Sequence, residues 1–159
     1  MSSAGDRVKP AIPESIRIRG VHELAVDASP SGVAVCDEEG RILFANPQLA
    51  AIFGYGADEL VGASVDILLP ERSQATHPTE RQRFWSRPDS RSMGAGRELC
   101  GRRKDGSEVA VEIVPRPVTH EDRRLIIASV VDITERRQLQ EQILTQTAES
   151  LAFERVVSD

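Results

Sequence analysis

Runs of β-forming residues separated by turn signals occur in two parts of the chain. Two short runs, at 33–37 and 41–46, are joined by a connection that ends at Gly40, which predicts a β-hairpin. Lys104-Asp105-Gly106 is a second turn signal, because Asp-Gly tolerates positive φ. Three longer runs predict strands at 94–104, 107–118 and 123–132.

Alternation within 107–118 predicts which side of that strand is buried. Val109, Val111 and Ile113 occupy one side, whereas Glu112 lies on the other. Since successive side chains of a strand point to opposite faces, we expect the odd-numbered set to face the core.

Helical segments are predicted between and after the strands. The short ones are bounded by proline or glycine and lie at 21–28, 47–53, 58–60, 65–69 and about 78–86. The last segment, 132–157, has a broken apolar stripe opposite a face rich in Gln, Glu and Arg, which is typical of an amphipathic helix. Asp132 and Glu135 have the spacing of an N-terminal capping pair.

This order of elements predicts an α+β fold. We expect a five-stranded antiparallel sheet with short helices on one face, followed by a C-terminal helix. Residues 1–20, with Pro10 and Pro13 and no apolar period, are predicted to be a flexible N-terminal arm. The domain itself is placed at 21–133 and the C-terminal helix or linker at 134–159.

Composition excludes several classes of protein. The chain has 159 residues, 40% of them hydrophobic and 28% charged, enough for one domain with a core. The net charge of −5 argues against a nucleic-acid binder. No apolar run of about 18 residues predicts a membrane span, and the N-terminus has no apolar signal-peptide core, so a cytoplasmic location is expected. Cys36 and Cys100 form neither a disulfide framework nor a metal-site spacing.

Three motifs together are similar to those of PAS sensor domains. They are GVAVCDEEGRILFANPQLAAIFGYGADELVG at 32–62, GRELCGRRKDGSEVAVEI at 96–113 and VVDITERR at 130–137. The last contains Asp132-Ile133-Thr134, the junction that in PAS domains connects the sheet to a signalling helix. In this order and spacing, the chain resembles a PAS domain from about residue 21 to 137.

The resemblance implies a sensory rather than a catalytic role. PAS domains hold a small ligand between the sheet and the helices and pass its state to a neighbouring domain, here through Asp132, Ile133, Thr134 and the helix after them. Neither His77 nor His120 has a nucleophile with a recognisable motif, so we expect no catalytic residue and no metal site. We expect an input module of a bacterial signalling protein; stress regulators with serine phosphatase and anti-sigma-factor modules are favoured, with histidine kinases and diguanylate cyclases as alternatives.

The resemblance also raises two cofactors. The cysteine motif of flavin-binding PAS domains is missing, which argues against flavin photochemistry. Haem-binding PAS domains use a helical His as iron ligand and an Arg after a Gly-x-Gly segment, and His77 precedes Gly94-Ala95-Gly96-Arg97 at about that separation. Pro78 directly after His77 argues for a helix start and a structural His77 instead, so haem is kept as the alternative and no cofactor is expected to be obligatory.

The favoured ligand is apolar or amphipathic, with a fatty-acid-like acyl chain preferred. Arg97 lies on the same predicted strand face as Leu99, and a planar guanidinium suits a carboxylate head group. Aliphatic side chains with few aromatic rings would surround the rest of such a ligand. The predicted binding residues are Arg97, His77, Phe84, Met93, Leu99, Val111, Ile113, Phe44 and Ile127. A ligand-free dimerisation module, its core filled by these same side chains, is the other alternative.

A homodimer is predicted through the PAS domain, the C-terminal helix or both. The apolar stripe of the helix is longer than the domain alone can cover. Gln146 and Ser150 interrupt its best heptad seam, so we expect a weak coiled coil.

Overall fold

The chain is described by a computed structural model that covers residues 20–86 and 97–158. The predicted arm lies outside these residues, apart from Gly20. The elements are α1 (Val21–Asp27), β1 (Gly32–Asp37), β2 (Ile42–Ala45), α2 (Pro47–Phe53), α3 (Ala57–Leu60), a 3₁₀ helix (Val65–Leu68), α4 (Glu71–Gln74), α5 (His77–Ser86), β3 (Arg97–Arg102), β4 (Glu108–His120), β5 (Arg123–Asp132) and α6 (Thr134–Val157).

The strands form one antiparallel sheet in the order β2-β1-β5-β4-β3. The short helices between β2 and β3 pack on one face of it, where the main hydrophobic core lies. The predicted α+β architecture of five antiparallel strands and a C-terminal helix is confirmed. The predicted strand at 94–104 is shorter, because its described part ends at Arg102 and the chain then turns.

Asn46 connects the first elements of the chain through four side-chain hydrogen bonds. Its Oδ1 accepts from the backbone N–H groups of Val33 at 2.7 Å and Leu49 at 3.0 Å. Its Nδ2 donates to the carbonyl oxygens of Val26 at 2.9 Å and Ser31 at 3.0 Å. One fully buried amide thus caps α2 and ties α1, β1 and the loop between them to it.

Two hydrophobic clusters occupy the two faces of the sheet. Directly paired residues share a face, and Cys36 pairs with Ile42 and Ile126, so these three lie toward the helices. Val35 and Leu125 belong to a second, smaller cluster on the opposite face. The sheet therefore has an inner face toward the helices and an outer face away from them.

The β4–β5 hairpin turns through two residues with positive φ. Glu121 has φ 48° and Asp122 has φ 61°, between the paired residues His120 and Arg123. Two consecutive residues of this kind form the tight turn that suits the twist of a hairpin, and Asn-Gly is its preferred sequence. A glutamate in the left-handed region is disfavoured because of its Cβ.

Replacing Glu121 with Asn and Asp122 with Gly is therefore expected to stabilise the domain by about 1 kcal/mol. Urea denaturation followed by circular dichroism measures the change. The control is Glu121→Gln, which removes the charge of Glu121 without easing the backbone and should leave the midpoint unchanged. An equal urea midpoint for the double variant and the native chain would show that Glu121 and Asp122 do not strain the turn.

Helix α6 begins one residue later than a capping pair at Asp132 and Glu135 requires. Ile133 is its N-cap, with no side-chain capping hydrogen bond. Asp132 Oδ1 accepts instead from the backbone N–H of Thr134 at 2.9 Å and from its hydroxyl at 2.6 Å. The predicted pair is thus wrong, because the N-cap is Ile133 and the Asp132 carboxylate is bound to Thr134. No helix in the described part of the chain is long and apolar enough to cross a bilayer.

Candidate functional site

The inner face of β3 and β4 forms an apolar wall. Leu99 pairs with Val111, and Ile113 lies on the same face. All three belong to or pack against the main core, so their predicted position is confirmed, whereas their role in binding stays a prediction. Val111 is 1% exposed, but Leu99 and Ile113 are only partly buried. The wall is therefore closed at Val111 and less covered toward Leu99 and Ile113.

Phe53 closes one end of this wall. A Cβ on Gly101 would lie 2.7 Å from Phe53 Cε1 and 3.4 Å from the carbonyl oxygen of Leu68, so the ring packs directly on the backbone of β3. Val109, the partner of Gly101, is 2% exposed. The inner face is thus completely filled at Gly101 and Val109.

Phe44 and Ile127 lie on the outer face, which corrects their prediction as binding residues. Both pair with Val35, which belongs to the second cluster, and Phe44 packs against that cluster. The β1–β2 register shifts beside Val35, so Leu43 is an extra residue that breaks the alternation. Ile127 is 39% exposed. Neither residue contributes to the inner wall.

Three other predicted binding residues fall at or beyond the edge of the described structure. Arg97 begins β3, and its backbone pairs with Ile113, two positions from Leu99. The side chains of Arg97 and Phe84 and the whole of Met93 lie outside the described residues. Their contact with a ligand stays a prediction.

His77 is the first residue of α5 and is bound to a carboxylate. Its Nδ1 lies 2.6 Å from Asp66 Oδ1, and Arg81 Nη1 lies 3.6 Å from the same oxygen. These side chains are largely buried, and they join α5 to the 3₁₀ helix. His77 therefore has the hydrogen-bonded position that was the structural alternative to an iron ligand.

The other end of α5 is held by a cation–π contact. Arg124 at the start of β5 places its Cζ 4.8 Å from the ring centre of Trp85 and also pairs with Glu38 of the β1–β2 turn. Polar and charged groups thus anchor α5 at both ends.

The junction after β5 is built into the sheet. Ile133 is 1% exposed, and its N–H donates to the carbonyl oxygen of Ala110 in β4 at 3.0 Å. Its own carbonyl accepts from the N–H of Arg137 at 2.9 Å. Together with the Asp132–Thr134 hydrogen bonds, this fixes the direction in which α6 leaves the sheet.

Four charged residues hold the first turn of α6 on β3 and β4. Glu98 and Glu112 are direct cross-strand partners, and two like charges at such positions repel. Arg136 Nη2 donates to both, at 3.3 and 2.9 Å, and Arg137 Nη2 donates to Glu98 at 2.8 Å. The bond from Arg137 is the main reason why the pKa of Glu98 lies below its usual value. We call these four residues the arginine clamp.

Replacing Arg136 with Gln should release the first turn of α6, because Glu98 and Glu112 would then repel. We expect faster hydrogen exchange at the Arg137 amide with little change in the melting midpoint, since the groups are exposed. Adding Glu112→Gln removes the repulsion and should restore part of the protection. Unchanged exchange in Arg136→Gln would show that the clamp does not hold the helix.

A family model described as PAS fold matches residues 26–138. The chain belongs to the PAS family. The matched region of this PAS domain includes the inner wall, the junction and the arginine clamp.

Two curated relatives of this PAS domain are sensor proteins. The oxygen sensor protein DosP of Escherichia coli is 26% identical over 113 residues, which are 71% of this chain and 14% of DosP. The sensor protein FixL of Bradyrhizobium diazoefficiens is 26% identical over 127 residues, 79% of this chain and 25% of FixL. The chain therefore spans a quarter or less of these relatives.

Solved PAS domains have the same fold. The PAS domain of an HTR-like protein from Haloarcula marismortui is 26% identical, with a TM-score of 0.57. The alignment covers 70% of this chain and 88% of that one. The family match and the sensor relatives identify this PAS domain as a sensory input module of signalling proteins.

Arg103 connects the helical side of this PAS domain to the junction. Its Nε donates to the carbonyl oxygen of Ile52 at 3.2 Å, near the C-terminal end of α2, and its Nη2 lies 3.9 Å from Asp132 Oδ2. Lys104 pairs with Glu59 of α3 at 2.6 Å. Arg103 and Lys104 therefore connect the helices to the sheet. This role was not predicted from the sequence, because their partners are distant in the chain.

The two cysteines of the PAS domain differ in environment. Cys36 in β1 is 5% exposed, and burial, with a smaller contribution from Asp37, raises the pKa of its thiol to about 12. Cys100 in β3 is partly exposed, and its Sγ lies 3.1 Å from Glu108 Oε2. In the described residues no group of His, Cys, Asp and Glu is arranged to hold a metal ion.

Proposed function

We propose that this PAS domain senses a small amphipathic ligand and relays its presence through α6 to an output domain. The observation that carries the proposal is the attachment of α6 to the wall strands. Ile133 is hydrogen-bonded to β4, and the arginine clamp binds the first turn of α6 to β3 and β4. A ligand on the inner side of these strands would change the spacing between β3 and β4. The arginine clamp, which binds Glu98 in one strand and Glu112 in the other, would pass this change to α6.

An acyl chain with a carboxylate head fits the inner wall best. Leu99 and Ile113 are aliphatic and only partly covered, whereas Phe53 and Val109 fill the opposite end. The backbone register places Arg97 next to the less covered end. We propose that Arg97 binds the carboxylate while the chain lies along Leu99 and Ile113.

Haem is the second candidate, and the geometry of His77 supports it. A carboxylate on Nδ1 can orient an imidazole whose Nε2 binds a metal. The nearby Arg81 and the start of α5 at His77 itself favour the structural role. The residues present therefore fit an acyl ligand better than haem.

The exposed side of α6 supports a homodimer. Its large apolar side chains are 52–76% exposed, from Leu139 at one end to Val156 at the other. We propose that two copies pair along this stripe and that the pairing transmits the signal. An output domain of the phosphatase and anti-sigma-factor type, and a cytoplasmic location, stay predictions.

The test is mass spectrometry and an absorption spectrum of the protein purified after expression with added haem. We expect a stoichiometric fatty acid after denaturation and no haem band. A strong violet band that His77→Ala abolishes would establish the haem alternative. A protein with neither would contradict the proposed ligand and favour the ligand-free alternative.

Replacing Arg97 with Ala is expected to weaken acyl-ligand affinity by about ten- to a hundredfold. A hydrogen bond between charged groups contributes about 1.5–3 kcal/mol, and this range converts to that loss. Titration calorimetry with laurate measures the affinity, and circular dichroism verifies the fold. Arg116→Ala, on an outer-face position of β4, is the matched control and should bind like the native chain. Equal affinities in all three proteins would exclude Arg97 as the head-group site.

A further inference from the structure

We propose that Phe53, packed on Gly101, sets the length of acyl chain that this PAS domain accepts. The inference rests on the proposed ligand and adds the residue pair that limits its size. Gly101 is the next inner-face position of β3 after Leu99. The Phe53 ring therefore lies in the path of an acyl chain that runs along this face.

Phe53 is held in place from both sides. Its carbonyl oxygen accepts from the N–H of Lys104 at 2.9 Å, and the neighbouring carbonyl of Ile52 accepts from Arg103. Gly54 ends α2 directly after it with φ 72°. The backbone at Phe53 is therefore anchored, and its ring, 2% exposed, is enclosed by the core at this end of the path.

The distance from Arg97 to Gly101 gives the length. Four residues of a strand span about 13 Å at roughly 3.3 Å each. A carbon–carbon bond of about 1.5 Å advances an extended chain by roughly 1.3 Å, so about ten carbons fit between the two positions. We therefore expect the native chain to prefer decanoate over palmitate.

Two substitutions should move this preference in opposite directions. Phe53→Leu replaces the ring with a smaller side chain and makes room for longer acids. Gly101→Ala adds a methyl group on the inner face, 2.7 Å from Phe53 Cε1, so this end of the path loses space and shorter acids are favoured. The matched control is Phe44→Leu, the same change on the outer face, which should leave the preference unchanged.

The experiment is titration calorimetry of the whole chain with octanoate, decanoate, laurate and palmitate. Each buried methylene contributes about fourfold in affinity, so two more in Phe53→Leu should raise the laurate-to-decanoate ratio by about fifteenfold. Gly101→Ala should raise the octanoate-to-decanoate ratio, which keeps the proposal testable even where Phe53→Leu does not fold. Native binding with an unchanged ratio in the folded variants overturns the length limit and leaves the proposed function intact. No binding of any acid by the native chain overturns the proposed acyl ligand itself.

Discussion

Replacing Asn46 with Ala is expected to destabilise the domain by about 3–5 kcal/mol. The change leaves the amides of Val33 and Leu49 and the carbonyls of Val26 and Ser31 without the side-chain partner that the fully buried Asn46 supplies. An unsatisfied buried group costs about 1–3 kcal/mol, and loss of the α2 cap alone costs about 1. Relaxation and water entry keep the total below the sum of the four losses.

Thermal unfolding followed by circular dichroism measures the effect of Asn46→Ala. Given the size of the domain, we expect the midpoint to fall by roughly 10–20 °C. The control is Ser64→Ala, which removes the exposed cap of the 3₁₀ helix and should cost about 1 kcal/mol or less. If both variants melted at the same temperature, Asn46 would be an ordinary cap and not the joint between α1, β1 and α2.

Shortening the chain at Arg137 is expected to convert a homodimer into a monomer. Helix α6 has 24 residues, about 36 Å at 1.5 Å per residue, and none of its described side chains is buried. Its apolar stripe is therefore exposed unless a partner covers it. Because Gln146 and Ser150 interrupt the seam, the pairing should be weak enough to shift with the state of the sheet.

Light scattering at micromolar concentration measures the oligomeric state. Ile143→Glu, in the seam of the whole chain, should also give a monomer, whereas Thr145→Glu on the opposite side of the helix should not. An identical dimer for the shortened and the whole chain would move the interface to the PAS domain. A monomeric whole chain would exclude pairing of two copies along α6.

Local patterns predicted much of the fold. Alternation at Val109, Val111 and Ile113 identified the inner side of β4, and Asp105-Gly106 identified the β3–β4 turn, because both signals depend on neighbouring residues alone. The predicted helix at 78–86 begins at His77, one residue earlier. These features require no knowledge of distant contacts.

The candidate site was predicted less well, because its geometry depends on distant contacts. Phe44 and Ile127 look like inward residues, but one additional residue at Leu43 changes the register, and both faces of β1 and β5 are apolar. The arginine clamp joins Glu98 in β3 to Arg137 in α6, and no local sequence pattern predicts such a pair. Its one signal was a pair of glutamates opposite each other in the predicted hairpin.

The buried thiol of Cys36 makes opening of the sheet measurable without denaturant. The thiolate is the form that reacts with alkylating reagents, and a covered thiol with a pKa of about 12 offers almost none of it at neutral pH. Labelling of Cys36 therefore requires β1 to open, and its rate follows the population of the open form when closing is fast. Cys100, partly exposed on β3, reacts without that opening and serves as the reference in the same chain. The ratio of the two labelling rates reports how often each variant exposes its core.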